Sequence, residues 1–276
     1  MDTLSVLDRI LRQLGLATDV TAFLILFGLI LSRVIGAIVL NPLLGGAAVS
    51  GRIKVGFAVI VTAVLFPSVS PGVANVQISN LTFVALLAKE ITIGVTIGLI
   101  SQFIFFAVQT AGTLIDTERG MNQATFYSPQ LQGNASLIGQ LQFQVALVLF
   151  LAINGHLFFL RALHDSFREI AILDVPRFQM GVAAVTDQII RLSANVFVIA
   201  IQLSAPVLLV LFLVDVAFGV LNKIAPQVNV HYESQTVKSL VGLVIVILTI
   251  GFVMARLDRE FARMIQDLYN VTRLFA

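Results

Sequence analysis

The chain has 276 residues, of which 58% are hydrophobic and only 12% are charged, and its net charge is +2. Soluble domains carry about 25% charged residues, so this composition and a mean hydropathy of +0.98 exclude an ordinary soluble protein. The small net charge implies no nucleic-acid partner, and the absence of cysteine excludes disulfides, thiolate metal sites and cysteine nucleophiles.

Long apolar segments follow one another along the chain and predict an all-α membrane protein. A helix needs roughly 20 apolar residues to cross a bilayer. Leucines and isoleucines on one face of residues 3–16 predict an amphipathic helix first, and we expect the first long helix after it to be retained. The apolar segments that we assign to helices are 20–40, 55–65, 81–108, 137–163, 196–221 and 237–255.

Polar stretches and prolines separate or bend these segments. Residues 112–136 form the most polar internal stretch and indicate an ordered loop or broken helices. Residues 164–191 are mixed and amphipathic, residues 225–234 form a polar turn, and residues 256–276 form a charged amphipathic tail. Pro206 lies near the middle of an apolar segment, so the pattern predicts long helices with kinks and helical hairpins.

Four charged residues, Arg33, Lys89, Glu90 and Asp215, lie inside apolar segments. Each costs on the order of 3 kcal/mol at membrane depth. They would therefore form an ion or proton relay, pair between helices, or contact partner subunits. Lys89 and Glu90 are neighbours and point about 100° apart on a helix, so we expect no compact relay face from them and favour a structural role.

Small and amide residues indicate helix contacts. Gly94 and Gly98 form a G-x-x-x-G step, which permits close approach to another helix. Gln140 and Gln144 share one face of a helix and Gln142 lies on another. This two-sided polarity suits burial between subunits or packing within the chain.

Residues that could carry chemistry are few. The three histidines, His156, His164 and His231, have no third ligand at metal-site spacing. No phosphate-binding loop is present, and no Ser and His arrangement suggests a catalytic triad. We therefore expect no enzyme activity, no metal and no cofactor.

The loop 120–133 is the unusual element of the sequence. Irregular backbone between membrane helices must face water, a cavity or protein. Met121, Phe126 and Tyr127 supply apolar side chains that could fill a gap. In the alternative interpretation this is a simple surface loop that packs on its own helices.

Several short motifs, taken together, resemble one known family. They are Arg33 with Asn41-Pro42, Arg52-Ile-Lys54-Val-Gly56, Glu90 with Gly94 and Gly98, Asp116 with Gly120, Asn154-Gly-His156, and the run from Gly219 to Val230. With these residues the chain resembles FliR, the flagellar export-gate subunit, and its injectisome counterpart SctT. The resemblance covers nearly the whole chain, and the run from Gly219 is its most specific part.

A second resemblance concerns the C-terminal part, which is similar to the small subunit FliQ, a two-helix hairpin with a polar turn. Gln227, Asn229 and Lys238 carry it. It implies a FliP-like part over residues 1–187, including a plug loop at 120–133, and a FliQ-like hairpin with an amphipathic tail over residues 188–276. Thr236 stands where the family usually has proline, which changes the turn.

The resemblance implies a role and a set of partners. FliP-like and FliQ-like subunits would join this chain around a passage for unfolded exported proteins, and a FlhB-like subunit would wrap the entrance. Met121, Phe126 and Tyr127 would help to plug the closed pore. Arg33, Lys89, Glu90, Gly94, Gly98, Asp215, Gln227, Asn229 and Lys238 would be buried polar or subunit-packing residues. The location would be the bacterial inner membrane, as a multi-pass protein of the flagellar basal body.

Two alternatives stay open. Asp116-Thr-Glu-Arg119-Gly is closer to the injectisome branch, whereas Asn154-Gly-His156 is closer to the flagellar branch, which we favour. A stand-alone secondary transporter is the other alternative. Such proteins often contain inverted repeats and broken helices; Pro206 would permit a broken helix, but the sequence contains no visible repeat.

Overall fold

Helices dominate the computed structural model, which describes residues 20–45, 49–69, 79–121, 136–174, 182–225, 227 and 230–275. Within these ranges the chain forms seven helices and no strand. They are α1 (Val20–Leu40), α2 (Gly51–Val69), α3 (Asn80–Glu118), α4 (Leu137–Ala152), α5 (Gly155–Glu169), α6 (Val182–Ile224) and α7 (Val230–Phe275).

Five of these helices are long and apolar enough to cross a membrane, namely α1, α2, α3 and most of α6 and α7. The bent pair of α4 and α5 would make a sixth span if it crosses as one unit. The predicted all-α membrane fold is thereby confirmed. The amphipathic helix predicted at 3–16 lies outside the described residues.

Helix α3 is longer than the apolar segment predicted. It continues to Glu118, so the loop or broken helix expected over 112–136 is wrong for residues 112–118. The reason is local: Thr113 and Thr117 donate their hydroxyls to the carbonyls of Gln109 and Thr113, at 2.9 and 2.8 Å. Polar side chains that bond to the preceding turn are compatible with a continuing helix.

The apolar segment 137–163 forms two helices. Helix α4 ends at Ala152 and α5 begins at Gly155, with a bend of 70° between them. Asn154 lies at the break with a φ of 59°, a left-handed conformation that asparagine tolerates better than most residues. The sequence contained a signal for this break, because an Asn-Gly pair such as Asn154-Gly155 marks a turn.

The two C-terminal helices run through several predicted boundaries. Helix α6 forms 43 residues without interruption, and Pro206 lies inside it. Helix α7 forms 46 residues, so the apolar segment and the charged tail are one helix. Because α7 begins at Val230, the predicted turn over 225–234 is wrong for its last five positions.

The described residues divide into two compact units. The first contains residues from 20–102, 156–188 and 264–275, and the second contains 103–155 and 189–263. In the first unit α1 is central, with Leu29, Ile30 and Val34 fully buried. Phe23 and Phe27 of α1 pack with Phe66 of α2, with ring centroids 4.9 and 6.2 Å from that of Phe66.

The second unit has an apolar core of its own. Ile115 of α3, Ile138 of α4, Val207 and Leu211 of α6 and Val246 of α7 form a buried cluster. A separate aromatic group joins α3, α4 and α7 through Phe105, Phe150 and Phe261, whose ring centroids are 5.3–5.7 Å apart.

Many large apolar side chains on α6 and α7 face outward. Phe197, Phe212 and Leu248 expose 66%, 62% and 73% of their surface. In water such a surface would be costly, at about 25 cal/mol per Å² of apolar area. These helices therefore require lipid or a protein partner around them.

Candidate functional site

A buried ion pair lies at the centre of the first unit. Arg33 of α1 and Glu90 of α3 are both fully buried. The guanidinium donates two hydrogen bonds to the carboxylate, from Nε to Oε2 at 2.5 Å and from Nη2 to Oε1 at 2.9 Å. This paired geometry is the strongest form of charge-assisted contact between side chains.

Both cations near Glu90 also bind the end of α5. Arg33 donates to the carbonyls of Ser166 and Ile170 at 2.8 and 3.1 Å. Lys89 donates to the carbonyls of Ala171, Ile172 and Asp174 at 2.7–2.9 Å. We call Arg33, Lys89, Glu90 and these five carbonyls the Arg33 cluster.

The electrostatics of the Arg33 cluster explain why it holds two cations and one carboxylate. Lys89 Nζ lies 2.8 Å from Glu90 Oε1, so the ends of these neighbouring side chains meet although their Cα–Cβ bonds point about 100° apart around the helix. Their long side chains bend toward each other beyond the backbone. The carbonyls after α5 supply the remaining negative potential, as at any helix C-terminus, and the ring of Phe167 lies 4.1 Å from the Arg33 guanidinium.

Glycines bring α1 and α3 close enough for this pairing. A Cβ added to Gly94 would lie 2.1 Å from the carbonyl oxygen of Arg33, and one added to Gly98 would lie 2.6 Å from that of Ala37. Gly36 of α1 faces the backbone of α3 at 3.0 Å in the same way. The helix that the G-x-x-x-G step approaches is thus α1 of the same chain.

A second network lies in the second unit, where α3 ends and α4 begins. The buried carboxylate of Asp116 accepts hydrogen bonds from the hydroxyl of Ser136 and the backbone N–H of Ile138, both at 2.8 Å. Arg119 donates to its other oxygen at 3.0 Å and to the carbonyl of Ser239 in α7 at 2.9 Å. We call Asp116, Arg119, Ser136 and these two backbone groups the Asp116 clamp.

The Asp116 clamp joins the two ends of the predicted plug loop. Asp116 lies before the loop, and Ser136 and Ile138 lie after it. Ser136 caps α4 by accepting the N–H of Gly139 at 2.8 Å, a typical N-cap contact. A Cβ on Gly112 would lie 2.2 Å from the Cα of Gly139, so the two helices also touch directly here.

We expect Asp116→Asn to destabilise the purified protein by about 1.5–3 kcal/mol, because it weakens three hydrogen bonds to a buried carboxylate. The melting temperature in detergent should fall by roughly 5 °C. Glu118→Gln is the matched control, since Glu118 lies two residues away and is exposed. Equal melting temperatures for both variants would show that the Asp116 clamp does not stabilise the protein.

The other predicted residues are placed as follows. Lys238 of α7 is buried and forms an ion pair with Asp215 of α6, whose side chain is 42% exposed. Gln227 lies in the turn before α7 and is exposed, whereas Gln142 of α4 is buried. Met121 donates its backbone N–H to the carbonyl of Asp116 at 3.0 Å. Phe126, Tyr127 and Asn229 lie outside the described residues.

One serine and one histidine do come into contact in the first unit. Ser68 Oγ lies 2.8 Å from His164 Nε2, and His164 Nδ1 lies 3.4 Å from the carboxylate of the adjacent Asp165. Tyr269 donates to that carboxylate at 3.1 Å. The histidine–carboxylate distance is too long for a strong hydrogen bond, so this chain of contacts joins α2, α5 and α7 and does not form a triad.

The clamp was the main feature that sequence reasoning missed. In the sequence, Asp116 and Gly120 were noted only as part of a motif that resembles the family, and Ser136 was not singled out. A signal existed, because a serine directly before an apolar run is typical of a helix N-terminus. The carboxylate that meets it lies 20 residues earlier, which no local pattern reveals.

The family described as Bacterial export proteins, family 1, matches residues 24–264 of this chain. The chain belongs to this family. The matched residues include the Arg33 cluster and the Asp116 clamp.

Named proteins of both secretion branches are similar to it. The Flagellar biosynthetic protein FliR of Bacillus subtilis is 30% identical over 90% of this chain and 95% of its own length. FliR of Escherichia coli is 31% identical over 72% and 74%. The Secretion system apparatus protein SsaT of Salmonella typhimurium is 28% identical over 86% and 90%.

Proposed function

We propose that this chain is an export-gate subunit of the flagellar type III protein secretion apparatus. It would form, with FliP-like and FliQ-like subunits, the channel through which unfolded proteins cross the bacterial inner membrane. The observation that carries this proposal is the membership of residues 24–264 in the export family. The flagellar branch is supported by 30–31% identity to two FliR proteins, against 28% to the named secretion apparatus protein SsaT.

The outward surface of the chain supports an assembled role. Helices α6 and α7 expose large apolar side chains along their length, and Asp215 is partly exposed among them. A partly exposed charge within an apolar surface normally faces protein or a water-filled space. A FliQ-like hairpin at 188–276, packed among similar hairpins, would meet both requirements. The FlhB-like partner and the basal-body location belong to the same proposal.

Genetic complementation tests the proposal. A flagellated host with its FliR gene deleted should regain export of filament protein when this chain is supplied. Filament protein in the culture medium is the readout, and membrane level of the chain is the control. Failure despite normal level, together with rescue of an injectisome strain lacking its SctT subunit, would move the chain to the injectisome branch. Failure in both would reject an export role.

The second candidate function is the injectisome subunit itself. It is favoured by the 26% identity to Yop proteins translocation protein T of Yersinia pestis over 82% of this chain. The Asp116 clamp contributes too, because the segment from Asp116 to Gly120 is closer to that branch. The two rescue experiments above separate these candidates.

We further propose that the loop 120–133 plugs the closed channel through Met121, Phe126 and Tyr127. Changing all three to serine, or removing residues 122–133, should increase leakage of small solutes when the whole complex is expressed. The matched control changes Gln123, Gln130 and Gln132 to serine, which alters the same loop but spares its apolar side chains. Conductance equal to that of the unchanged complex would count against the plug role.

A further inference from the structure

A groove between α6 and α7 in the second unit combines cations with apolar walls. It has a volume of about 260 Å³ and is lined by Gln202, Ala205, Phe252, Arg256 and Arg259. Neither the Arg33 cluster nor the Asp116 clamp contributes to it. Its chemistry is therefore separate from the contacts described above.

The guanidinium of Arg256 is held in place but has a free donor. Its Nη2 donates to Gln202 Oε1 at 2.5 Å and lies 2.9 Å from Glu260 Oε1. Its Nε is buried and has no hydrogen-bond acceptor among the described residues. A buried donor without an acceptor costs about 1–3 kcal/mol, so contacts within the chain do not fully satisfy this guanidinium.

The charge around the groove is positive. Of the five residues that line it, Arg256 and Arg259 are cations and none is an anion. Glu260 lies four residues after Arg256 on α7 and forms an ion pair with it. Glu260 is already shared, since Arg263 also donates to it at 3.0 Å. Among the residues that the structure describes, Arg259 makes one long contact, from Nε to the Ala255 carbonyl at 3.3 Å. Asp258 is two positions from Arg256 and projects to another side of the helix.

An apolar track leads from the groove toward the middle of the membrane span. Leu248 and Phe252 precede Arg256 at four-residue steps on α7, and Ala205 and Leu209 follow each other on α6. Leu248, Phe252 and Leu209 are 73%, 49% and 62% exposed. The groove is thus a cationic pocket that continues into an apolar track.

The groove also lies at the depth where a lipid headgroup would be. Residues 239–255 of α7 carry no charge, and at 1.5 Å per residue they span about 26 Å. That length is close to the roughly 30 Å thickness of the hydrocarbon core. Lys238 and Asp215 mark one end of this uncharged stretch, and Arg256 is the first charge at the other.

We propose that this groove binds the headgroup of an anionic glycerophospholipid. The phosphate would accept hydrogen bonds from Arg256 and Arg259, and an acyl chain would lie along Phe252 and Leu248. Guanidinium groups match phosphate oxygens in geometry and charge, and basic pockets beside membrane helices recognise anionic headgroups. The proposal depends on the membrane position of the chain and not on its export role.

Native mass spectrometry of the full chain gives the first test. In mixed micelles, phosphatidylglycerol should remain bound and phosphatidylcholine should not. The double variant Arg256→Gln, Arg259→Gln should weaken phosphatidylglycerol binding about tenfold or more. Arg263→Gln is the matched control, because Arg263 is 62% exposed and does not line the groove. Equal binding by the double variant and this control would overturn the proposal.

Fluorescence quenching by brominated lipids gives a second test that does not change the arginines. The chain contains no tryptophan, so Phe252→Trp places a single tryptophan in the groove, and its emission can be excited selectively at long wavelength. Brominated phosphatidylglycerol should quench it at least twice as strongly as brominated phosphatidylcholine. Phe212→Trp, on the exposed surface of α6, should be quenched equally by both. Equal quenching at position 252 would overturn the proposal without any question of misfolding.

Two further experiments distinguish a lipid phosphate from two other anions, free phosphate and a carboxylate of a partner subunit. Inorganic phosphate that prevents quenching at millimolar concentration would show that the site binds free phosphate and would overturn the lipid assignment. Loss of a co-purifying subunit from the Arg256→Gln, Arg259→Gln complex, with unchanged lipid binding by the single chain, would assign the groove to a partner's carboxylate. The proposal requires neither effect.

Discussion

Replacing Glu90 by glutamine should lower the free energy of unfolding by about 3–5 kcal/mol, the largest single effect that we expect in this chain. Glutamine has nearly the same shape but no charge, so Arg33 and Lys89 would stay buried beside a neutral group. Both Arg33 and Glu90 are fully buried, and solvent cannot compensate. Circular dichroism of the purified chain in detergent should show a melting temperature lower by roughly 10 °C.

Glu169→Gln is the control for this experiment. It is the same substitution, made at an exposed position at the end of α5. The double variant Arg33→Leu, Glu90→Leu supplies a second comparison. Replacing both members of a buried pair by apolar residues often costs less than removing one. We therefore expect the double variant to melt above Glu90→Gln. If Glu90→Gln and Glu169→Gln have the same melting temperature, the Arg33–Glu90 ion pair does not stabilise the first unit.

Gly94→Ala should be nearly as damaging, although it adds a single methyl group. Its Cβ would lie 2.1 Å from the carbonyl oxygen of Arg33, and backbone cannot rotate away as a side chain can. Helices α1 and α3 would have to separate, which also stretches the Arg33–Glu90 contact. Overpacking costs about 1–3 kcal/mol, and we expect the upper end of that range, measured as the melting temperature.

Gly28→Ala is the matched control for Gly94→Ala. Gly28 lies in α1, and a Cβ there would meet nothing within 4 Å. Alanine in the middle of a helix is favoured over glycine by about 0.5–1 kcal/mol. The control should therefore be neutral or slightly more stable. A loss of stability in Gly28→Ala as large as that in Gly94→Ala would show that the close approach of α1 and α3 is not the cause.

Helices that consist of one long apolar segment were predicted best from the sequence. The predicted segment 20–40 has the same bounds as α1, because a predominantly apolar run of 21 residues ends at Asn41-Pro42. Segments that end in polar residues were predicted too short. Helix α3 continues through Thr113 and Thr117, whose hydroxyls bond to its own backbone, and composition does not distinguish such residues from a loop.

The Arg33 cluster shows why site geometry was harder to predict. Arg33, Lys89 and Glu90 were singled out from the sequence as costly charges in apolar segments. Their partners could not be read from the pattern, because Glu90 lies 57 residues after Arg33 and the carbonyl of Ile170 lies 137 residues after it. Five of the acceptors are backbone carbonyls, and a carbonyl has no signature in an amino-acid sequence.

This separation has a consequence for the order of events during synthesis. Arg33 is made long before the carbonyl of Ile170, which it needs as a hydrogen-bond acceptor. At about 5–20 residues per second, the ribosome adds the intervening residues over a time on the order of ten seconds. During that interval the α1–α3 pair is a nascent intermediate with unpaired guanidinium donors. Truncated chains that end before residue 166 should therefore be degraded faster than chains that end after residue 174, in which the Arg33 cluster is complete.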